Sequence, residues 1–67
     1  MSPAKIPAGL SLGRALKAAN LVGSGGEAKV LIQTGEVAVN GEVETRRGRR
    51  LQRGDVVEVG YERLEVR

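Results

Sequence analysis

Hydrophobic positions along the chain change their period about half-way. Up to Gly35 they recur at helical spacing; from Val37 onward they fall in short runs broken by Gly, Asn and Asp. In the first half, Leu12, Leu16 and Ala19 form a stripe with Ala15 beside them, while Arg14, Lys17 and Ala18 fall away from it. That spacing predicts an amphipathic helix over 11–20, capped by the Ser11 hydroxyl. Gly23 is the expected left-handed stop. Ala28, Leu31, Ile32 and Gly35 then repeat at i, i+3, i+4 and i+7, with Lys29 and Gln33 on the opposite side, which predicts a second helix over 25–34. Its start reads as a capping box. The Ser24 hydroxyl accepts from the Glu27 amide, and the Glu27 carboxylate reaches back to the Ser24 amide.

The second half reads as strands. Val37-Ala38-Val39 precedes Asn40-Gly41, a strong short hairpin signal. A plain two-residue turn would pair Val39 with Glu42 and Val37 with Glu44, which sends Val43 to the outer face. A one-residue bulge would bring Val37 and Val43 onto one face, and that bulge is the expectation. Leu51 interrupts a basic run and should anchor it. Gly54-Asp55 turns the chain into Val56–Val59, Gly60-Tyr61-Glu62 turns it again, and Leu64 and Val66 share one face of a last strand. Residues 1–9 hold two prolines and no apolar period, and read as an irregular arm ahead of a domain at 10–67. Lys5 there is either a stray phosphate contact or part of a frayed end. The predicted class is α+β, two short N-terminal helices packed on a small antiparallel sheet of three to four strands. The expected core is Leu12, Leu16, Leu31, Ile32, Val37, Val43, Leu51, Val57 and Leu64.

Composition narrows the chemistry. A chain of 67 residues has room for one domain, and a domain of this size buries only ~60% of its unfolded surface. There is no cysteine and no histidine, and Tyr61 is the single aromatic residue. Disulfides, thiolate metal sites and the commonest general base are therefore absent. The acids Glu27, Glu36, Glu42, Glu44, Asp55, Glu58, Glu62 and Glu65 are scattered. No catalytic set, cofactor, metal or small-molecule substrate is expected, and the chain does not read as an enzyme. No stretch has the length of a membrane span and nothing resembles a signal peptide, so a cytoplasmic, monomeric protein is expected. One tyrosine cannot supply the stacking platforms that read single-stranded bases.

Charge is concentrated. Residues 1–44 balance, residues 45–53 carry five arginines and no acid, and residues 54–67 return −2, for a net +3. Such a block is the footprint of a polyanion-binding surface. Arg46, Arg47, Arg49, Arg50 and Arg53 offer planar donor forks that match phosphate oxygens, and Gly48 lets the chain turn between the first two pairs. A second candidate is Gly25-Gly26, whose amides open the second helix at its positive end. Close packing of that turn explains the same glycines. Lys17 and Lys29 are expected to join Arg46 and Arg47 in one basic face.

These residues together resemble the ribosomal-protein S-four-type RNA-binding domain, also called the αL motif. The resemblance covers about residues 10–60 and rests on three segments. They are the capped helix from Ser24 to Ile32, the hairpin Gly35-Glu36-Val37-Ala38-Val39-Asn40-Gly41, and Leu51–Val57 with its Gly-Asp turn. Ser24-Gly25-Gly26-Glu27-Ala28-Lys29 and the arginine run are similar to a branch of very small stand-alone members. Many other members carry arginine where Gly25 stands, so one family phosphate contact is missing here. The resemblance implies binding of structured RNA, ribosomal or transfer RNA, without catalysis. Two rivals stand beside it. One is a ribosome-associated adaptor whose arginines meet acidic protein. The other is a ubiquitin-like sulfur-carrier fold, which would need a Gly-Gly tail where this chain has Glu65-Val66-Arg67.

Overall fold

The computed structural model describes residues 4–67. The chain forms β1 (Ala4–Ile6), α1 (Leu12–Ala18), α2 (Gly25–Gln33), β2 (Val37–Val39), β3 (Glu42–Val43), β4 (Val56–Val59) and β5 (Glu62–Val66). The strands make one five-stranded sheet in the order β1-β5-β4-β2-β3, antiparallel except for the parallel β1–β5 pair. The helices pack on each other and against one face of that sheet. Leu12, Ala15 and Leu16 of α1 and Ala28 and Ile32 of α2 share a single core with Val37, Val39, Val57, Leu64 and Val66. The other face mixes charged Lys5, Glu58, Arg63 and Glu65 with Ala38, Val43 and Val56. Glu58 lies directly opposite Arg63, and Lys5 opposite Glu65, opposite charges at positions where such pairs favour the sheet. Among the described residues no helix is long and apolar enough to cross a membrane.

Both helices start and stop by local chemistry. Ser11 and Ser24 accept through their hydroxyls from the amides of Arg14 (3.4 Å) and Glu27 (3.2 Å). The Glu27 carboxylate takes the Gly23 amide (3.3 Å) rather than the expected Ser24 amide. Each helix ends in a pair of closing bonds, Asn20 to Lys17 with Leu21 to Leu16, and Gly35 to Ile32 with Glu36 to Leu31. This is the Schellman pattern, which needs one left-handed residue. Asn20 (φ 62°) supplies it for α1 and Gly35 (φ 82°) for α2. Gly23 is therefore not the stop. The chain has already turned at Asn20, and Val22 goes into the core behind it.

Four further expectations need correction. The sheet has five strands, not three to four, because residues 4–6, expected to be irregular, pair with β5; residues 1–3 of that arm lie outside the described residues. A three-residue strand leaves no readable period, and its partner is some 60 residues away. Its Ile6 is buried. Helix α1 is also shorter than 11–20, at Leu12–Ala18. The hairpin has no bulge. Ala38 pairs with Val43 and Val39 with Glu42, and both turn residues take positive φ, Asn40 at 54° and Gly41 at 85°. This is the primed two-residue turn whose twist suits the strands. Val43 consequently faces out, 63% exposed, and Glu44, 8% exposed, takes the inner position, donating its amide to the Val37 carbonyl (3.0 Å). Finally, Leu31 lies at the core margin, while Ile32 is fully enclosed.

Asn40 does more than turn the chain. Its side chain donates to the Asp55 carboxylate (3.0 Å) and accepts from the Val56 amide (2.9 Å), and its own amide donates to the Val56 carbonyl (2.8 Å). Asp55 also accepts from the Gln52 amide (2.8 Å). The hairpin tip is thereby tied to the Gly54-Asp55 turn.

Chemical denaturation checks this packing. Ile32→Ala should cost about 2–5 kcal/mol, as deletion from an enclosed site does, and Leu31→Ala less, about 1–2 kcal/mol, because part of its side chain stays exposed at the core margin. Equal effects would contradict the burial described. Gly41→Val should destabilise by about 1–3 kcal/mol, since a β-branched residue is strained at positive φ; an unchanged midpoint would contradict the turn.

Candidate nucleic-acid interface

The arginine segment is not a free loop. It runs antiparallel to residues 9–13 and is stitched to them through the backbone. Gly9 donates to Leu51 (2.9 Å), Leu51 to Leu10 (2.9 Å), Leu12 to Arg49 (2.8 Å) and Gly13 to Arg47 (3.1 Å). Leu51 is 1% exposed and roots the segment in the core. The Leu12 and Gly13 amides belong to the first turn of α1, where an isolated helix has no acceptors. The carbonyls of Arg49 and Arg47 supply them. The N-terminus of α1 is therefore already occupied by the loop.

Glycine makes one of these contacts possible. A Cβ at Gly13 would sit 2.7 Å from Cγ and 3.3 Å from Cδ of Arg47. The aliphatic part of Arg47 thus lies directly across the first turn of α1. The sequence carries no local sign of this, because the crowding comes from a residue 34 positions later.

The five arginines have different surroundings. Glu44 accepts from the Arg46 amide (3.2 Å), Arg46 Nε (3.3 Å), Arg46 Nη2 (3.4 Å) and Arg49 Nη1 (3.1 Å). Arg49 is the more enclosed of these two arginines, while the Arg46 side chain stays 79% exposed. Arg50 donates through Nη1 to the Gly9 carbonyl (2.7 Å). Among the described residues, no carboxylate pairs with Arg47 or Arg53. The Arg46 guanidinium first, then the Arg46 amide and the Arg49 guanidinium, hold the Glu44 carboxyl at about 2, down from 4.5. A carboxyl lowered by folding stabilises the fold above its unfolded value and loses that contribution as pH falls through the folded one. The Glu44 contribution is therefore complete above about 4.5 and fades towards about 2. The Asp55 carboxyl is lowered too, first by the Gln52 amide and then by the Asn40 side chain.

An open groove of about 650 Å³ runs between α1, the start of α2 and the Arg47-Gly48 corner. Arg14, Lys17 and Arg47 line it together with Gly25, and there is no carboxylate in the lining. Of the residues expected from sequence, Lys17, Arg47 and Gly25 meet here. Arg46, Arg49, Arg50, Arg53, Gly26 and Lys29 are not in the lining, although Lys29 follows Gly25 by one helical turn and so shares its flank of α2. Arg14 is the residue sequence reasoning passed over. Its spacing of three from Lys17 on one helix was the available signal. Among the described residues the Gly25 and Gly26 amides have no acceptor within the protein. A Cβ at Gly25 would meet nothing within 4 Å.

Comparison with known proteins follows the same lines. The sequence profile described as the S4 domain matches residues 9–67. A protein of Bacillus subtilis (strain 168), described as "Probable ribosome maturation protein RlbA", is 50% identical over 58 residues, covering 85% of this chain and 82% of the relative. The two-helix face, the Asn-Gly hairpin tied to a Gly-Asp turn, and a match over nearly the whole length together identify this chain as a member of the S4 domain family.

Proposed function

We propose that this chain is an RNA-binding module of ribosome maturation, without catalytic activity, that grips structured ribosomal RNA by its phosphates. The carrying observation is the groove. Three cations from two separated segments, Arg14, Lys17 and Arg47, converge on one concave surface with no acid in its lining. Family membership and the maturation-protein relative supply the partner class. Phosphates repeat along an RNA strand, and spaced cations on a rigid surface suit them. The groove offers no aromatic surface, so recognition rests on the shape and phosphate positions of a helix or junction. In this reading Arg14, Lys17 and Arg47 touch phosphate, the free amides of Gly25 and Gly26 add neutral donors, and Lys29, Arg46, Arg49, Arg50 and Arg53 extend the field around them. The protein acts as a monomer in the cytoplasm. Transfer RNA and an acidic protein surface are the competing partners that direct measurement separates.

Affinity for purified ribosomal RNA should fall steeply with salt, and each phosphate contact should add ~0.7–0.9 to the slope of log affinity against log salt. Arg14→Ala, Lys17→Ala and Arg47→Ala should each weaken binding and lower the slope by about one such step. Gly25→Arg, placed in open space, should raise both affinity and slope. Salt-insensitive binding, or stronger binding to transfer RNA or to an acidic polypeptide than to ribosomal RNA, would contradict this reading.

A further inference from the structure

The geometry points to Glu44 as a positioning residue for RNA binding: it clamps Arg46 and Arg49 so that the arginine segment stays docked on α1 and Arg47 alone of the first four arginines is delivered to the groove. The inference rests on the phosphate reading of that groove and divides labour within it. Four adjacent arginines look equivalent along the chain. In the fold, two are held by one carboxylate, a third is spent on the Gly9 carbonyl, and only Arg47 lines the groove.

Several observations meet at Glu44. It is the one buried charged residue among those described. It occupies the inner face of the hairpin, a place that a hydrophobic residue would ordinarily take, directly beside Val37. A carboxylate there is tolerated because its acceptors are filled by four donors, all from Arg46 and Arg49. Those two arginines bracket Arg47. Their backbones are tied as well, since Arg49 donates to the Arg46 carbonyl (3.3 Å) and the carbonyl of Arg49 takes the Leu12 amide. With both ends of Arg46–Arg49 held, the Arg47 carbonyl meets Gly13 and its side chain crosses the first turn of α1. The consequence of this cluster is directional: it fixes which guanidinium faces the groove.

The rival is a flexible cationic brush in which all five arginines serve alike and Glu44 merely subtracts one charge. The two ideas predict opposite signs for Glu44→Gln. This change raises net charge by one and releases two arginines, so a brush binds ribosomal RNA more tightly and with a steeper salt slope. A clamp, once broken, gives weaker binding despite the added charge, and a slope lower by ~0.7–0.9, one contact. Hydrogen exchange reads the docking without RNA. In Glu44→Gln the Leu12 and Gly13 amides should lose protection while the Ile32 amide in α2 keeps it; Glu44→Asp should restore part of both protection and affinity. Gly13→Ala tests Arg47 at constant charge. Its Cβ displaces the Arg47 side chain, so affinity and slope should fall although alanine favours the helix. Tighter binding by Glu44→Gln, unchanged exchange at Leu12 and Gly13, or wild-type binding by Gly13→Ala each overturns the clamp. If the wild-type chain does not bind ribosomal RNA, the phosphate role of Arg47 falls with the proposed function, and exchange in Glu44→Gln still decides whether Glu44 docks the segment.

Discussion

The structure depends on the seam between residues 9–13 and the arginine segment. Helix α1 has seven residues, far below the length at which an isolated helix holds together in water. Its first turn is completed by carbonyls that come from Arg47 and Arg49, and its inner face by Leu51 next to them. The arginine segment in turn has no regular structure of its own. It is ordered because α1 presents donors at the right spacing and because Gly13 leaves room for the chain to approach. Helix and loop therefore define each other, and the cations on both end up around one groove.

Small size explains why polar ties matter so much here. The enclosed core is built of aliphatic side chains from every layer, but a chain this short buries a limited share of its surface. Segments at the rim are set by hydrogen bonds instead. Asn40, Asp55 and Gln52 hold the tip of the first hairpin to the start of β4, and Glu44 with Arg46 and Arg49 holds the other end of that hairpin to the arginine segment. Neither network lies in a helix or a sheet ladder. Both connect turns, where the backbone would otherwise be free to move.

The arrangement also accounts for a groove lined by few bulky groups. Three glycines line the groove, Gly13, Gly25 and Gly48, and the first two stand there for different reasons. At Gly13 a side chain would collide with Arg47; at Gly25 the space is open. The first is a packing constraint, and the second leaves an amide exposed beside three cations.

Local chemistry by itself determined the helix starts at Ser11 and Ser24, the stop at Gly35, the Asn40-Gly41 turn, the Gly54-Asp55 turn, most of the aliphatic core and the basic character of residues 46–53. Each of these depends on neighbours a few residues apart, so the chain carries the signal directly. The existence of β1, the outward facing of Val43, the inward facing of Glu44 and the inclusion of Arg14 in the groove were decided by tertiary structure. Strand β1 is stabilised only by a partner at the other end of the chain. The hydrophobic pattern favours Val43 inside while the Asn40-Gly41 turn sends it outside; the fold keeps the turn and fills the inner place with Glu44, whose charge two arginines meet. Which arginine reaches the groove was likewise beyond the sequence, because four similar side chains in a row differ only in what the rest of the fold brings up to each of them.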